Sequence, residues 1–319
     1  AVLVGSVPEA LPIGLTAILA IGVERIAKRN GIIRNLTASE TLGSTTLIIT
    51  DKTGTLTQAN MQLKDIDNTG QLLANGFEPQ VQTEPYNQEQ TAYLQLARCS
   101  CDVLIDNPQD KPEDWRIGGD DLEGNIVKAA AKLGIIQSAA DRSDIQIRIP
   151  FSSKYKFSVT RIPSRYLPSH LTQFADPHVV LGAPDVLIKR SALSDQEKQH
   201  LLQSINAHSN AGRRILGIGL LTPHTESGSI TIDDVQNVTF LGVLSFYDPI
   251  RPEVPAALKK IAEFGTRVIM ATGDLPGTAL AIAKQAGLDV THENVLTGAQ
   301  VAAMSDAELN ERLDTISIF

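Results

Sequence analysis

Cysteine is nearly missing from this chain: 319 residues carry two, Cys99 and Cys101, one residue apart. Two cysteines cannot build a disulfide framework, so the sequence points to a reducing compartment. A redox or metal role for the pair is the less common reading; plain packing is the commoner one. Histidine is scarce as well, and none of the six has metal-ligand spacing. His200 and His208 are expected to share a solvated helix. Basic charge is in deficit, with 28 Lys and Arg against 36 Asp and Glu. A formal net charge of −8 with no basic run interleaved with aromatics argues against a nucleic-acid partner. What remains is ordinary globular composition, 42% hydrophobic and 20% charged, in a chain long enough for about two domains. The chain opens on Ala1 and closes on the apolar ISIF, so a piece of a longer protein is expected.

One long apolar run stands out, AVLVGSVPEALPIGLTAILAIGV over Ala1–Val23, with Glu9 its single charge. It is about long enough to span the hydrocarbon core of a bilayer. Pro8 and Pro12 bracket Glu9 and would break helical bonding around it, freeing carbonyls. In a membrane such a break is tolerated where it lines a cavity or ion path. Arg25, Lys28, Arg29 and Arg34 come next, which places residues from about 25 onward in the cytoplasm. A buried helix of a soluble protein is the bland alternative. A signal peptide fits poorly, because nothing basic precedes the run and Glu9 interrupts it. Thr37 to Glu40 has capping-box spacing, so a short helix should link this segment to the strand before Asp51.

That strand lies in TTLIITDKTGTLTQ, Thr45–Gln58. Leu47, Ile48 and Ile49 form an apolar run without alternation, as expected of a central parallel strand covered on both faces. The run ends on Asp51. In open α/β sheets, ligands sit at the carboxyl ends of strands. Lys52 offers a cation, Thr53, Thr55 and Thr57 offer hydroxyls, and Gly54 allows a close backbone approach. Such a set suits a nucleophilic carboxylate beside a phosphoryl group and a metal ion. It suits equally an Asp capping a turn.

Asp51-Lys-Thr-Gly-Thr-Leu-Thr57 resembles, in all seven residues, the phosphorylation signature of P-type ion-pumping ATPases of the haloacid dehalogenase superfamily. The resemblance implies that Asp51 takes the γ-phosphoryl group of ATP, with Mg²⁺ held by Asp51 and Thr53. Phosphatases of that superfamily carry a second Asp two positions after the nucleophile; here that position is Thr53, which favours a persistent aspartyl phosphate. Pro8-Glu-Ala-Leu-Pro12 is similar to the PEGLP-type motif of the pumps' fourth membrane helix, which would make Glu9 a ligand of the transported cation. The cysteine-containing motif usual in heavy-metal pumps is absent there. Ala10 replaces the glycine of calcium pumps, so the ion stays open.

Late in the chain, Phe264–Leu288 reads as strand, loop and helix, with Thr272-Gly273-Asp274 as the loop and Pro276 opening the helix. An ordinary βα turn would look the same. TGDLPGTA is similar to the pumps' TGDxxxTA motif, which implies phosphate contact by Thr272 and a site made also of Gly273 and Asp274. Asp248-Pro-Ile-Arg251 resembles the DPPR motif, with Ile250 for its second proline; the resemblance implies a hinge whose Asp248 and Arg251 help hold ATP. A surface ion pair is the plain reading of those two.

Between these parts, Glu78–Asn87 reads as loop, Asn87–Leu104 as helix, 106–118 as loop and Asp120–Gly134 as helix. Asp120 and Glu123 have cap spacing. GGDDLEG also resembles the family's GDPTEG segment, which implies that Glu123 reaches the adenine region. Phe151 in IPFSSKYKF could be core or could stack on a base, with a lysine at phosphate. Similarity to the PFxSxxK segment implies stacking by Phe151 and favours Lys156, with Lys154 as a rival. Arg214 matches the arginine of GxRxLA, and Arg213 is the weaker candidate. Leu181-Gly182-Ala-Pro-Asp185 resembles KGAPE, with Gly182 kept and Leu181 in place of the lysine that lines the adenine pocket. Weakened nucleotide affinity is the expectation.

The expected fold class is α/β. It comprises a membrane helix segment (residues 1–24), a Rossmann-like parallel phosphorylation domain of the haloacid dehalogenase type (25–60 and 240–319), and an inserted α+β nucleotide-binding domain (61–239). The expected function is that of a central piece of an ATP-driven cation pump, membrane-located, with ATP and Mg²⁺ as cofactors and a cation and lipid as partners. The piece alone is expected to bind nucleotide without turnover, because the GDGxND loop and actuator domain fall outside it. A haloacid dehalogenase phosphatase and a non-catalytic nucleotide-binding remnant are the alternatives.

Overall fold

The computed structural model describes residues 10–35, 41–76, 86–135, 143–222 and 230–319, with side chains from residue 12. Helix α1, Ala10–Ala27, is what it gives of the expected membrane segment. Ile13, Ile18 and Ile21 are more than half exposed on it. Among the described residues no helix is long and apolar enough to cross a membrane. Pro8, Glu9, the capping box over 37–40 and most of the loop expected at 78–87 lie outside the described residues.

Strand β1, Leu47–Asp51, is followed by a tight loop in which Gly54 takes φ +77°. Then come β2 (Gln62–Asn68), α2 (Thr69–Asn75) and α3 (Gln88–Cys99). Asn68 and Asn87 close capping boxes with Gln71 and Gln90, which fixes where the two helices begin. The helix expected to reach Leu104 stops at Cys99. Leu104–Ile105 instead forms β3 and pairs antiparallel with β4, Ile117–Gly118, so the expected loop is a closed hairpin. α4 (Asp121–Lys132) begins at its Asp120 cap. β5 (Gln146–Ile149), β6 (Phe157–Arg161) and β7 (His178–Gly182) come after it. The insertion ends with α5 (Pro184–Lys189), α6 (Asp195–Asn210), β8 (Arg214–Leu221) and β9 (Thr239–Tyr247). α7 (Val254–Glu263), β10 (Arg267–Ala271), α8 (Pro276–Gln285), α9 (Gly298–Ala303) and α10 (Asp306–Leu313) complete the order.

The fold is mixed α/β. Six strands form an antiparallel sheet in the order β2-β9-β8-β7-β6-β5. Alternating side chains fill both faces: Val179 and Leu181 pack with Leu94 and Ile126 on one, Val180 and Val159 with Leu187 and Leu201 on the other. The boundary expected between 239 and 240 falls at the start of β9. A strand paired with β2 on one side and β8 on the other belongs to the sheet that holds it, so the chain leaves the insertion only after Tyr247.

β1 pairs parallel with β10, and Met270 and Val295 each bridge Ile318 in parallel. This second unit has its core at Leu56, Met270, Leu280, Ile282, Ala283 and Ile318. β1 is not covered on both faces as expected. Ile49 is 67% exposed, and β1 is bonded to β10 alone among the described residues.

Candidate active site

The register of β1 on β10 sets Asp51 opposite Ala271. Two parallel strands thus end together, and the loops that leave them are neighbours. Lys52 Nζ crosses from one loop to the other and meets Asp274 Oδ2 at 2.7 Å, both side chains mostly buried. The Asp274 amide donates to Thr272 Oγ1 at 3.2 Å, which shapes the second loop around Gly273. Asp51 itself is exposed at the strand end, and so is Thr53 two residues on. Lys52 thus follows the strand end that carries an accessible carboxylate, with its own charge held by Asp274.

Asp248 and Arg251 do not reach the cavity of the insertion, nor do they pair with each other. Both brace the loop after Asp51. The buried Thr57 hydroxyl donates to Asp248, whose other oxygen accepts from the Asn60 amide at 3.1 Å. Arg251 donates to the Gly54 carbonyl at 2.9 Å and the Thr57 carbonyl at 3.1 Å. Two segments far apart in sequence are thus hydrogen-bonded at one turn.

The donor set suits Mg²⁺, which commonly takes one or two carboxylates and completes its shell with water and phosphate oxygens. Asp51 and the oxygens of Thr53 are accessible for this. Among the described residues no group of three His, Cys, Asp or Glu side chains stands ready to hold a metal.

The insertion holds a cavity of about 310 Å³. Glu123, Phe151, Lys156 and Arg214, picked out from sequence, all line it. Leu122, Leu181 and Leu216 give it an apolar wall. Asp120 caps α4 through the Leu122 amide at 2.9 Å, which points the helix N-terminus into the cavity. The Asp102 amide donates to Glu123 Oε2 at 2.8 Å, yet burial still pushes the Glu123 carboxyl above its ordinary value. Phe151 is 58% exposed, an uncovered ring at the rim.

The two lysines separate cleanly. Lys154 Nζ lies over its neighbour's ring, Tyr155, at 5.0 Å and is not in the wall. Lys156 is, on a left-handed backbone (φ +62°) whose carbonyl accepts from the Ala183 amide at 2.8 Å. The arginines separate too: Arg214 faces the cavity, and Arg213 is buried against Asp65 at 3.1 Å. Gly182 does not line the wall. Its missing side chain lets β6 and β7 close, since a Cβ there would stand 2.3 Å from the Lys156 carbonyl oxygen. Ser158, Ala183 and Ile215 also line the cavity, and no local pattern marked them. Leu181 is 3% exposed, so the position of the expected lysine is filled by core. Cys99 is buried, and burial pushes the Cys101 thiol well up, so neither suits redox chemistry.

His208 is not solvated as expected. It sits at the buried end of α6, with Nδ1 3.1 Å from Ser245 Oγ and Nε2 3.7 Å from Asp67 Oδ2. Burial, then Asp65 beside it, pushes Asp67 up from 3.8 to about 6, against Arg213. Burial, then Arg213, holds His208 down from 6.5 to about 4. Both shifts favour neutral forms. Between pH 4 and 6 the folded pair holds its proton on Asp67 and the unfolded pair holds one on the histidine, so the two linkages cancel. Single substitutions should expose them. In His208→Gln the folded state binds more protons than the unfolded, and stability should fall as pH rises from 4 to 6, by up to about 1.4 kcal/mol per pH unit. In Asp67→Asn the unfolded state binds more, and stability should rise over the same window. Urea unfolding from pH 4 to 7 checks this; slopes of one sign in both variants contradict it.

A parallel strand pair thus carries an antiparallel α+β insertion that holds the cavity. The family model for the P-type ATPase cytoplasmic domain N matches residues 89–253, which include the whole cavity wall. The chain is 30% identical over 335 residues to the cation-transporting ATPase pma1 of Synechocystis sp.. It is 33% identical over 352 residues to the probable cation-transporting ATPase F of Mycobacterium tuberculosis. It is 30% identical over 337 residues to calcium-transporting ATPase 1 of Saccharomyces cerevisiae. These matches cover 99–100% of this chain and 35–37% of the relatives, so the chain spans little more than a third of their length. The chain belongs to the P-type cation ATPase family.

Proposed function

We propose that Asp51 accepts the terminal phosphoryl group of ATP, that the cavity of the insertion seats the nucleotide, and that in the whole protein this step drives a cation across a membrane. The observation that carries the reading is the β1–β10 register, which sets the Asp51 and Thr272–Asp274 loops side by side at one sheet edge. An Asp51 oxygen forms the new bond to the γ-phosphorus as its bond to the bridging oxygen breaks, and ADP leaves. Lys52 offsets charge on the transferring group, and Thr272 and Gly273 donate hydrogen bonds to it. Asp51 and Thr53 would hold Mg²⁺, which when bound would further neutralise that charge.

Phe151 stacks on the base, Glu123 accepts from its amino group, and Lys156 and Arg214 meet phosphate. Asp248 and Arg251 act at one remove, by holding the loop that carries Asp51 in shape. The insertion must swing for its cargo to reach Asp51, and the crossings at Gln58–Met61 and Asp248–Arg251 are where it turns. Glu9 would bind the transported cation, in a segment over residues 1–24 set in the membrane with the rest of the chain on the cytoplasmic side. The identity of the cation stays open. Leu181, an apolar group where a cation would help, should leave nucleotide affinity modest.

Calorimetric titration with a non-hydrolysable ATP analogue tests the cavity. Phe151→Ala should weaken binding about tenfold, in line with about 1–3 kcal/mol for a base stacked on an aromatic ring. Lys154→Ala should change it by less than about twofold. Equal losses in the two variants, or none in Phe151→Ala, would sink this assignment.

A further inference from the structure

Arg214 is the cavity's arginine, yet among the described residues no ion pair holds its guanidinium, and the residue is exposed. Its aim must come from the backbone at the start of β8. That backbone is pinned through the residue before it. Arg213 Nη1 lies 3.1 Å from Asp65 Oδ2, with the two side chains 13% and 8% exposed. The Arg213 guanidinium stands over the Tyr247 ring, 5.8 Å from its centroid. The Arg213 amide donates to the His208 carbonyl at 3.2 Å. β2, β9 and the end of α6 thus each grip Arg213. Just ahead, Gly212 takes φ +80°, and a Cβ there would stand 3.4 Å from Ile282 and 3.7 Å from Ala281 of α8.

Consecutive side chains of a strand leave on opposite faces. With Arg213 on the buried face, the Arg214 side chain leaves on the opposite one, where the residue lines the cavity. Asp65 also cancels the Arg213 charge, so the uncompensated cation at this strand start is the one that faces the ligand. We infer that Asp65 is a positioning residue for nucleotide binding: its ion pair with Arg213 aims Arg214 at the phosphates.

The inference rests on the reading of the cavity as a nucleotide site. Its test is titration of ATP and of adenosine into the wild type, Asp65→Asn, Arg214→Ala and the double variant. Asp65→Asn should bind ATP about five- to tenfold more weakly and adenosine as the wild type does. In the Arg214→Ala background the same change should add nothing to the ATP-to-adenosine ratio, because the group being aimed is gone. Asp65→Asn could fail to fold, since it leaves a buried cation without its partner. Asp65→Asn combined with Arg213→Gln removes both charges, should fold, and should show the same ATP-selective loss. An unchanged ATP-to-adenosine ratio in either variant overturns the inference, as does a loss that ATP and adenosine share. A wild type that binds neither ligand overturns the nucleotide reading and this inference with it.

Discussion

In the whole protein, Asp51→Asn should remove acid-stable phosphorylation from ATP, lowering the label more than about a thousandfold, or about 4 kcal/mol in the barrier. The amide has nearly the shape of the carboxylate but lacks the anionic oxygen that attacks phosphorus. Little else should change. Asp51 is exposed, its side chain is in no ion pair among the described residues, and its backbone stays in the β1–β10 ladder. Nucleotide affinity should therefore stay within about twofold of wild type, or tighten slightly as a negative charge near the phosphates disappears. Lys52→Ala should be a lesser lesion of the same step, complicated by the release of Asp274. The measurement is labelling from γ-labelled ATP, acid quench, and release by hydroxylamine, which cleaves acyl phosphates. Label that persists at wild-type level in Asp51→Asn would put the phosphoryl group on another residue.

Gly182→Ala should be among the most damaging single methyl additions to the insertion. An added Cβ would lie 2.3 Å from the Lys156 carbonyl oxygen and 2.6 Å from Phe157 Cα. Both obstacles are backbone, so no side chain can rotate away. The bond from the Ala183 amide to the Lys156 carbonyl, 2.8 Å, would have to open. Phe157, fully buried beneath it, would have to move as well. A cost of about 3 kcal/mol or more is expected from overpacking of this kind. Lys156 and Ala183 are both cavity wall, so ATP affinity should fall together with stability. Gly118→Ala is the control: nothing lies within 4 Å of a Cβ there, and its cost should stay below about 1 kcal/mol. Urea unfolding of the two variants decides the matter. Equal midpoints would mean that the β6–β7 contact is softer than its geometry says.

Motif resemblance carried the candidate site further than periodicity carried the sheets. Asp51, Lys52 and Thr53, like Thr272–Asp274, were picked out by resemblance to family motifs, since from the residues alone a capped turn and an ordinary βα turn read equally well. Phe151, Lys156, Glu123 and Arg214 were legible through their motifs. The errors share one cause. Ile49 was expected to be covered, β9 to belong to the catalytic half and His208 to be solvated. Each expectation needed the identity of a neighbour far off in sequence, which periodicity does not encode. β9 is buried on both faces, so its run of Leu241, Val243, Leu244 and Phe246 reads the same in a parallel or an antiparallel sheet. The pairing of Asp65 with Arg213 passed unnoticed for the same reason. An acid and a base on separate strands become a pair only once β2 and β8 flank β9.

The insertion begins on β2 and ends on β9, and these two strands are direct partners, with Gln62 opposite Tyr247. Entry and exit are therefore one strand spacing apart, about 5 Å. To the parallel unit, the whole nucleotide-handling body occupies no more room than a hairpin turn. Such a body can be lifted out between 61 and 248 and its ends joined within one strand spacing, at the loss of the α6–α8 contact, where the Thr278 hydroxyl donates to the Ser209 carbonyl at 2.7 Å. The cargo module and the reaction centre are thus free to vary as separate parts, with Asp248 and Arg251 as the seam that keeps any such module in line with Asp51.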